Sequence, residues 1–289
     1  DSQMETGTPY LLYKDACNKK SNQNNIGTIK SSNLCTEIIE YSSPDESAVC
    51  NLASIGLSRF VDVTVKNKPV FDYEKLHSVV EIVVENLNKI IDVNFYPTEK
   101  TRRSNMRHRP VGLGVQGLAD VMAMLDIPFH SEEAMTINRH IFETIYHAAL
   151  TASYEMSRAR SEMIRTKREI EVQYDAAVAE NAGLPPEYSQ AALSKMGRLG
   201  LQLSQLRKRC PEIPEETNRQ GTNDSDFDPN LAGSYSSFVG SPASKGILQF
   251  DMWTAGKKDG GEQQKERYDW ASLKENIKTY GLRNSLLVA

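Results

Sequence analysis

Between Tyr73 and Asp92, Leu76, Val79, Val80, Val83, Leu87, Ile90 and Ile91 recur at steps of three and four residues, which gathers them on one face of an α-helix. So apolar a face must be covered, so the chain has to build a core around it. Asp72 stands at the N-cap position. A second long helix is expected after Ser131, with Glu132 and Glu133 complementing its dipole and Ile137, Ile141, Ile145 and Ala149 directed inward. A last helix, capped by Asp269, presents Leu273, Ile277 and Tyr280, ends at Gly281 and feeds an extended apolar run, Ser285 to Ala289. A short helix around Tyr10 to Cys17 is followed by polar loop as far as Lys30. Extended segments are expected at Asn33 to Tyr41, Ala48 to Val61, Pro110 to Val115 and Gly246 to Phe250, the first two separated by the turn Ser42-Ser43-Pro44-Asp45-Glu46. Strands alternating with helices place the chain in the α/β class, as a layer or a barrel.

One stretch breaks this pattern. From about Arg158 to Ala232 the chain turns charged and rich in Gln, Arg and Glu, first with helical character and then, from Pro211 to Asn230, with hardly an apolar residue. It reads as a surface insertion, a helical hairpin followed by a disordered half. Leu193, Met196, Leu199, Leu201, Leu203 and Leu206 mark a helical face only roughly, because the step from Leu199 to Leu201 to Leu203 is two residues. The expected division is therefore 1–157, 158–232 and 233–289.

Several function classes drop out on bulk properties. Thirty-four basic against 38 acidic side chains leave a net charge of -4, which argues against a nucleic-acid surface. No apolar run approaches the roughly 20 residues that span a bilayer, and the polar start has no signal-peptide core, so no membrane partner is expected. Four cysteines, Cys17, Cys35, Cys50 and Cys210, are too few for a secreted disulfide scaffold and point to a reducing, cytoplasmic setting. The lack of an initiator Met and the apolar end, with no polar tail after it, suggest a piece of a longer chain.

The segment with chemical content is Ser32-Asn33-Leu34-Cys35-Thr36-Glu37, with Cys50 across the turn. In an extended segment side chains alternate, so Asn33, Cys35 and Glu37 would share one side opposite Leu34 and Thr36. An amide, a thiol and a carboxylate together are costly to bury without partners, which favours a site. The bland alternative is that a lone cysteine serves as a small buried hydrophobe. Gly112-Leu113-Gly114-Val115-Gln116-Gly117 matches G-x-G-x-x-G before a helical stretch, Leu118 to Leu125. Its context is poor for a dinucleotide site, since Arg107-His108-Arg109-Pro110 is a weak lead-in to a central parallel strand and no second strand ends in a ribose-binding acid. Of the five histidines, only His140 and His147 share a helix, seven apart, so no metal-ligand spacing emerges.

Taken in order, Gly7-Thr8-Pro9-Tyr10, Asn18-Lys19-Lys20-Ser21-Asn22-Gln23, Ser32 to Ile38, Ala48-Val49-Cys50-Asn51-Leu52-Ala53-Ser54, Arg107 to Asp120, Ser241-Pro242-Ala243-Ser244-Lys245-Gly246 and Gly281 to Ala289 resemble the eukaryotic-type large subunit of class I ribonucleotide reductase. The resemblance covers Gly7 to about Ser157 and about Gly233 to Ala289. It implies part of a ten-stranded α/β barrel of two half-barrels, with peripheral helices and Cys35 on a finger loop at the centre. It further implies that Cys35 becomes a thiyl radical, that Glu37 takes the 3'-hydroxyl proton, and that Asn33 holds the sugar hydroxyls, with Leu34 beside the substrate. Cys50 matches one of two cysteines that end as a disulfide, the other lying upstream of this chain. The substrate would be a ribonucleoside diphosphate. A metal-containing small subunit would supply the radical, and a thioredoxin- or glutaredoxin-type protein the electrons. This chain would bind no cofactor, ATP and dNTP effectors would bind outside it, and the longer parent would form a homodimer or larger oligomer. Two rival classes stay open: a thiol-disulfide oxidoreductase pairing Cys35 with Cys50, and an inactive nucleotide-binding or scaffolding relative.

Overall fold

A computed structural model describes residues 1–49, 51–64, 68–182, 189–211, 228–252 and 266–285. Helices α1 (Ser2–Thr6) and α2 (Lys14–Lys20) open the chain, followed by β1 (Asn51–Gly56), a 3-10 turn at Leu57–Phe60, and β2 (Val61–Asp62), antiparallel to β3 (Val70–Phe71). Then come α3 (Tyr73–Val93), α4 (Glu99–His108), β4 (Val111–Gln116), α5 (Leu118–Met124), α6 (Glu132–Ala182), α7 (Ser189–Arg209) and α8 (Trp270–Tyr280). The sheets are small: β1 pairs parallel with β4 from Asn51 opposite Val111 to Gly56 opposite Gln116, and no closed barrel forms among the described residues.

The helix of the 73–92 pattern is α3. Asp72 accepts from the Lys75 amide at 2.9 Å, and Leu76, Val80, Val84, Leu87 and Ile91 are buried. Complete burial of each such side chain contributes about 1.5–3 kcal/mol, which anchors α3 along α6. From α6, Ile141, Ile145 and Ala149 enter the same core, as do Ile55 of β1, Val111 and Leu113 of β4, and Leu273 and Ile277 of α8. Ile137 is only half-buried and Ile90 is largely exposed, so both faces are narrower than the periodicity suggests. The C-terminus of α4 bends sharply: Arg109 adopts a left-handed φ of 46° before Pro110, which cannot continue a helix. Its fully buried guanidinium is held by Asn88 and Asp92, with Nη1 to Asp92 Oδ1 at 2.8 Å, which offsets the strained backbone.

The 51-residue α6 runs through residue 158 without a break, about 77 Å at 1.5 Å per residue. Beyond the core it pairs with α7 as an antiparallel hairpin, Lys195 meeting Glu180, Arg207 meeting Glu171, and Arg160 meeting Cys210 and Pro211. The hairpin expected from composition is present, and its irregular leucine steps resolve simply. Leu199 and Leu203 are buried with Met196 and Leu206 half-buried beside them, while Leu193 and Leu201 point outward. The two ends of the 158–232 stretch meet, since Ser161 Oγ donates to the Asn230 carbonyl at 2.7 Å and accepts from the Gly233 amide at 2.8 Å. Gly233 lies so close to the Ser157 carbonyl that no Cβ would fit.

Four expectations change. Ala48 to Val61 is not one extended segment, because a 3-10 turn at Leu57–Phe60 follows β1 and buries Leu57 and Phe60. The helix expected around Tyr10 to Cys17 is α2, Lys14–Lys20, and Tyr10, Leu11 and Tyr13 stay exposed before it. Gly246 to Phe250 is not extended: the Lys245 amide donates to the Pro242 carbonyl at 3.0 Å and the Asp251 amide to the Leu248 carbonyl at 3.1 Å, which close 3-10 turns at Ala243–Lys245 and Gln249–Met252. Asn230 belongs to a 3-10 turn at Pro229–Leu231, capped by Asp228; the rest of the expected disorder falls mainly on 212–227, outside the described residues. The terminal strand, at 286–289, also lies outside them.

Candidate active site

A polar scaffold carries the Asn33–Glu37 segment. Asn18, near the end of α2, donates to the Ile29 carbonyl at 2.9 Å and accepts from the Ile29 amide at 2.7 Å, folding the intervening loop back on itself. Buried Gln23 accepts from the Tyr41 amide at 2.8 Å and donates to Ser285 Oγ at 3.4 Å, while Asn25 donates to the carbonyls of Ser237 and Val239. Both ends of the segment are thereby tied to the far end of the chain. Sequence reasoning took these residues for plain loop; five side-chain amides within the eight positions 18–25 were the signal that could have revealed a hydrogen-bonding frame.

The segment itself is a turn, not a strand. The Thr36 amide donates to the Asn33 carbonyl at 3.2 Å, and Thr36 has a left-handed φ of 65°. No strand pairs with residues 33–41 among those described, so the Asn33 side chain supplies the bonds a ladder would have made. Its Oδ1 accepts from the Ile38 amide at 3.0 Å and its Nδ2 donates to Glu37 Oε1 at 2.8 Å. The expected alternation of side chains is thus corrected, yet its consequence partly survives: the amide of Asn33 and the carboxylate of Glu37 are brought together, now across a turn. Cys35 sits at the turn between them with its side chain exposed, not in an apolar pocket, and Leu34 is 88% exposed at the tip. Cys50 lies outside the described residues. Its neighbour Asn51 is buried, donating to Asn105 Oδ1 at 3.0 Å and to the Pro110 carbonyl at 2.9 Å.

Other polar constellations compete for attention. Buried Glu46 binds His108 Nε2 through Oε2 at 2.9 Å and Arg107 through Oε1, and His108 Nδ1 meets Ser237 Oγ at 2.6 Å. Burial alone would push the Glu46 carboxyl up, but His108 and Arg107 overcome it and hold it at about 2. Burial pushes His108 below its ordinary value against the pull of Glu46. A neutral imidazole donating from Nε2 to Glu46 and accepting the Ser237 hydroxyl at Nδ1 satisfies every partner. The set has the order of a Ser-His-acid relay, but His108 is 1% and Ser237 3% exposed, so no substrate reaches it and it acts as a clamp.

Gly112 and Gly114 lie inside β4, opposite Leu52 and Ser54, and only Gly117 precedes α5. The lead-in is the end of α4, yet a parallel strand does follow it, beginning just after Pro110, where a missing amide costs no ladder bond. The first two glycines serve that strand, not a phosphate loop. His77 Nε2 lies 2.9 Å from His147 Nδ1, with Tyr268 stacked on His147 at 4.2 Å. No group of three or more His, Cys, Asp or Glu that could hold a metal ion occurs among the described residues, and no described helix is long and apolar enough to cross a membrane.

Comparison with known proteins matches residues 1–289 to the ribonucleotide reductase barrel-domain family. Large chain 2 of ribonucleoside-diphosphate reductase from Saccharomyces cerevisiae is 44% identical over 289 residues, covering 100% of this chain and 24% of that protein. The large chain from Schizosaccharomyces pombe is 45% identical over 288 residues, covering 100% and 25% respectively. The large subunit from Caenorhabditis elegans is 44% identical over 288 residues, covering 100% and 26%. The chain thus spans about a quarter of the length of these relatives. It belongs to the ribonucleotide reductase barrel-domain family.

Proposed function

We propose that the protein containing this chain reduces ribonucleoside diphosphates to deoxyribonucleotides, and that Cys35, Glu37 and Asn33 act on one ribose. The observation that carries the reading is the turn that ties Asn33 to Glu37 at 2.8 Å with an exposed thiol between them. The chemistry follows from these groups. A thiyl radical at Cys35 takes the hydrogen atom from the ribose 3'-carbon, because sulfur holds an unpaired electron and can return the hydrogen. Glu37 accepts the 3'-hydroxyl proton, which eases departure of the 2'-hydroxyl as water. Asn33 orients the hydroxyls. Two electrons come from Cys50 and an upstream cysteine, which finish as a disulfide, so that one dithiol is consumed for each water released. Leu34, at the tip of the turn, borders the substrate.

The wider reading is part of the same proposal. The parallel pair β1–β4 belongs to a ten-stranded barrel completed by the rest of the parent, with 1–157 and 233–289 as catalytic parts and 158–232 as an insertion. A separate metal-containing small subunit supplies the radical, a thioredoxin- or glutaredoxin-type protein restores the dithiol, and ATP and dNTP effectors bind elsewhere on a cytoplasmic homodimer or larger oligomer. This chain alone is expected to be inactive. Assays of the full-length protein with its small subunit test the core claim: wild type forms deoxyribonucleotide, Cys35→Ser forms none, and thiol mapping finds Cys50 oxidised with an upstream cysteine. A Cys35–Cys50 disulfide would instead make this a thiol-disulfide oxidoreductase, and a wild type as inert as Cys35→Ser would make it a scaffolding relative.

A further inference from the structure

The turn that presents Cys35 has little of its own to keep it in place. Asn33, Leu34, Cys35 and Glu37 are exposed, and no strand pairs with residues 33–41 among those described. Asn33 closes the turn from within, which fixes its shape but not its position against the body of the protein. Hydrogen transfer tolerates little error in position, since a shift of about 1 Å can cost about 100-fold in rate. The stem of the turn must therefore supply the precision.

That stem has two legs. On the incoming leg, Asn18 grips both backbone groups of Ile29, which is buried. On the outgoing leg, Gln23 Oε1 accepts from the Tyr41 amide at 2.8 Å, and the Tyr41 ring lies against Gly27, where no Cβ would fit. Gln23 is itself buried, and its backbone amide donates to Ser21 Oγ at 3.0 Å. Its Nε2 donates to Ser285 Oγ at 3.4 Å. Ser285 is a fixed reference, because Arg283 and Asn284 just before it are buried and bonded to Ser153 and to the carbonyls of Gly233 and Arg109. One side chain thus bridges the outgoing leg and the core, with both ends of its amide in use.

We propose that Gln23 is a positioning residue for the reaction at Cys35, acting through Tyr41 and not on the substrate: it sets where the turn stands by tying the Tyr41 backbone to Ser285. The proposal rests on the reductase reading of Asn33, Cys35 and Glu37. An amide suits the role because it offers the Tyr41 N–H an acceptor and the Ser285 hydroxyl a donor at the same time. Loss of a purely structural amide would lower the amount of folded protein; loss of a positioning amide slows one step of the reaction.

The full-length protein with its small subunit tests this through Gln23→Met, which fills nearly the same space and loses both side-chain bonds. Turnover should fall about 10- to 100-fold while KM stays within about twofold of wild type. The isotope effect from substrate deuterated at the 3'-carbon should exceed that of wild type, since a misplaced thiol makes hydrogen transfer the slow step. Gln23→Glu keeps the acceptor for Tyr41, and the Ser285 hydroxyl can donate to it, so most of the lost rate should return. Should Gln23→Met fail to fold, Ser285→Ala, which removes only the outer bond, carries the same test with a smaller fall. Hydrogen exchange at the Tyr41 amide, read by mass spectrometry, should be about tenfold faster in Gln23→Met whether or not the enzyme turns over. A folded Gln23→Met protein with wild-type turnover, a loss of turnover with an unchanged isotope effect, a Gln23→Glu protein no faster than Gln23→Met, or a Tyr41 amide that exchanges as slowly as in wild type would each overturn the proposal. A wild type without turnover would instead sink the reductase reading, and the exchange comparison would still decide whether Gln23 holds the turn.

Discussion

Replacing Glu46 by Gln probes the clamp that fixes the C-terminus of α4 to the 233–241 segment. The folded protein holds this carboxyl at about 2 rather than at its ordinary 4.5, which is worth about 3 kcal/mol at neutral pH, on the order of 1 kcal/mol per pH unit. Because the folded value lies below the unfolded one, this contribution is present above pH 4.5 and drains as the pH falls toward 2, with less than half of it left at pH 3. His108 acts in the same direction, since burial favours its neutral form and its share fades as pH drops below 6.5. Glutamine keeps one acceptor but removes the charge facing Arg107, so Glu46→Gln should cost about 2–3 kcal/mol at pH 7 and about 1 kcal/mol at pH 3. Urea unfolding followed by tryptophan fluorescence, with buried Trp270 as reporter, reads both. An equal loss at the two pH values, or none at pH 7, would show that the carboxylate is not held ionised by His108 and Arg107.

Gly281 ends α8 with φ 71°, and a Cβ there would lie 2.6 Å from Ser234 Cβ, so Gly281→Ala should lower stability by about 1–3 kcal/mol in a thermal melt. Wild-type stability would mean that the backbone relaxes freely at this point. Asn33→Ala removes both bonds that close the turn but exposes no core, so its unfolding free energy should stay within about 0.5 kcal/mol of wild type while turnover of the full-length enzyme collapses. Retained turnover would separate Asn33 from the reaction.

The long helices were legible because their signals are local, whereas α1 and α4 were missed, α4 because Glu99–His108 carries almost no apolar residue to mark a face. Asp72 and Asp269 cap the ends that the apolar periodicity marks, and Ser131 and the paired glutamates open α6 where expected. The leucine pattern of α7 was ambiguous because two of its six residues face outward, which only the partner helix decides. At 33–37 the pattern of alternate polar residues suggested a strand, but a strand needs a neighbour, and Asn33 bonded its own chain instead. The grouping of Asn33 with Glu37 was nevertheless readable, since both geometries bring them to one side. The Glu46–His108–Ser237 clamp was not: its members lie 62 and 129 residues apart, and each looks like an ordinary polar residue on its own.

The account depends most on hydrogen moving between the ribose and Cys35. Full-length protein with its small subunit, given substrate deuterated at the 3'-carbon, should turn over more slowly than with unlabelled substrate and yield product with the deuterium restored to that carbon, as mass spectrometry would read. Unchanged turnover, or product formed by a folded Cys35→Ala protein, would contradict it.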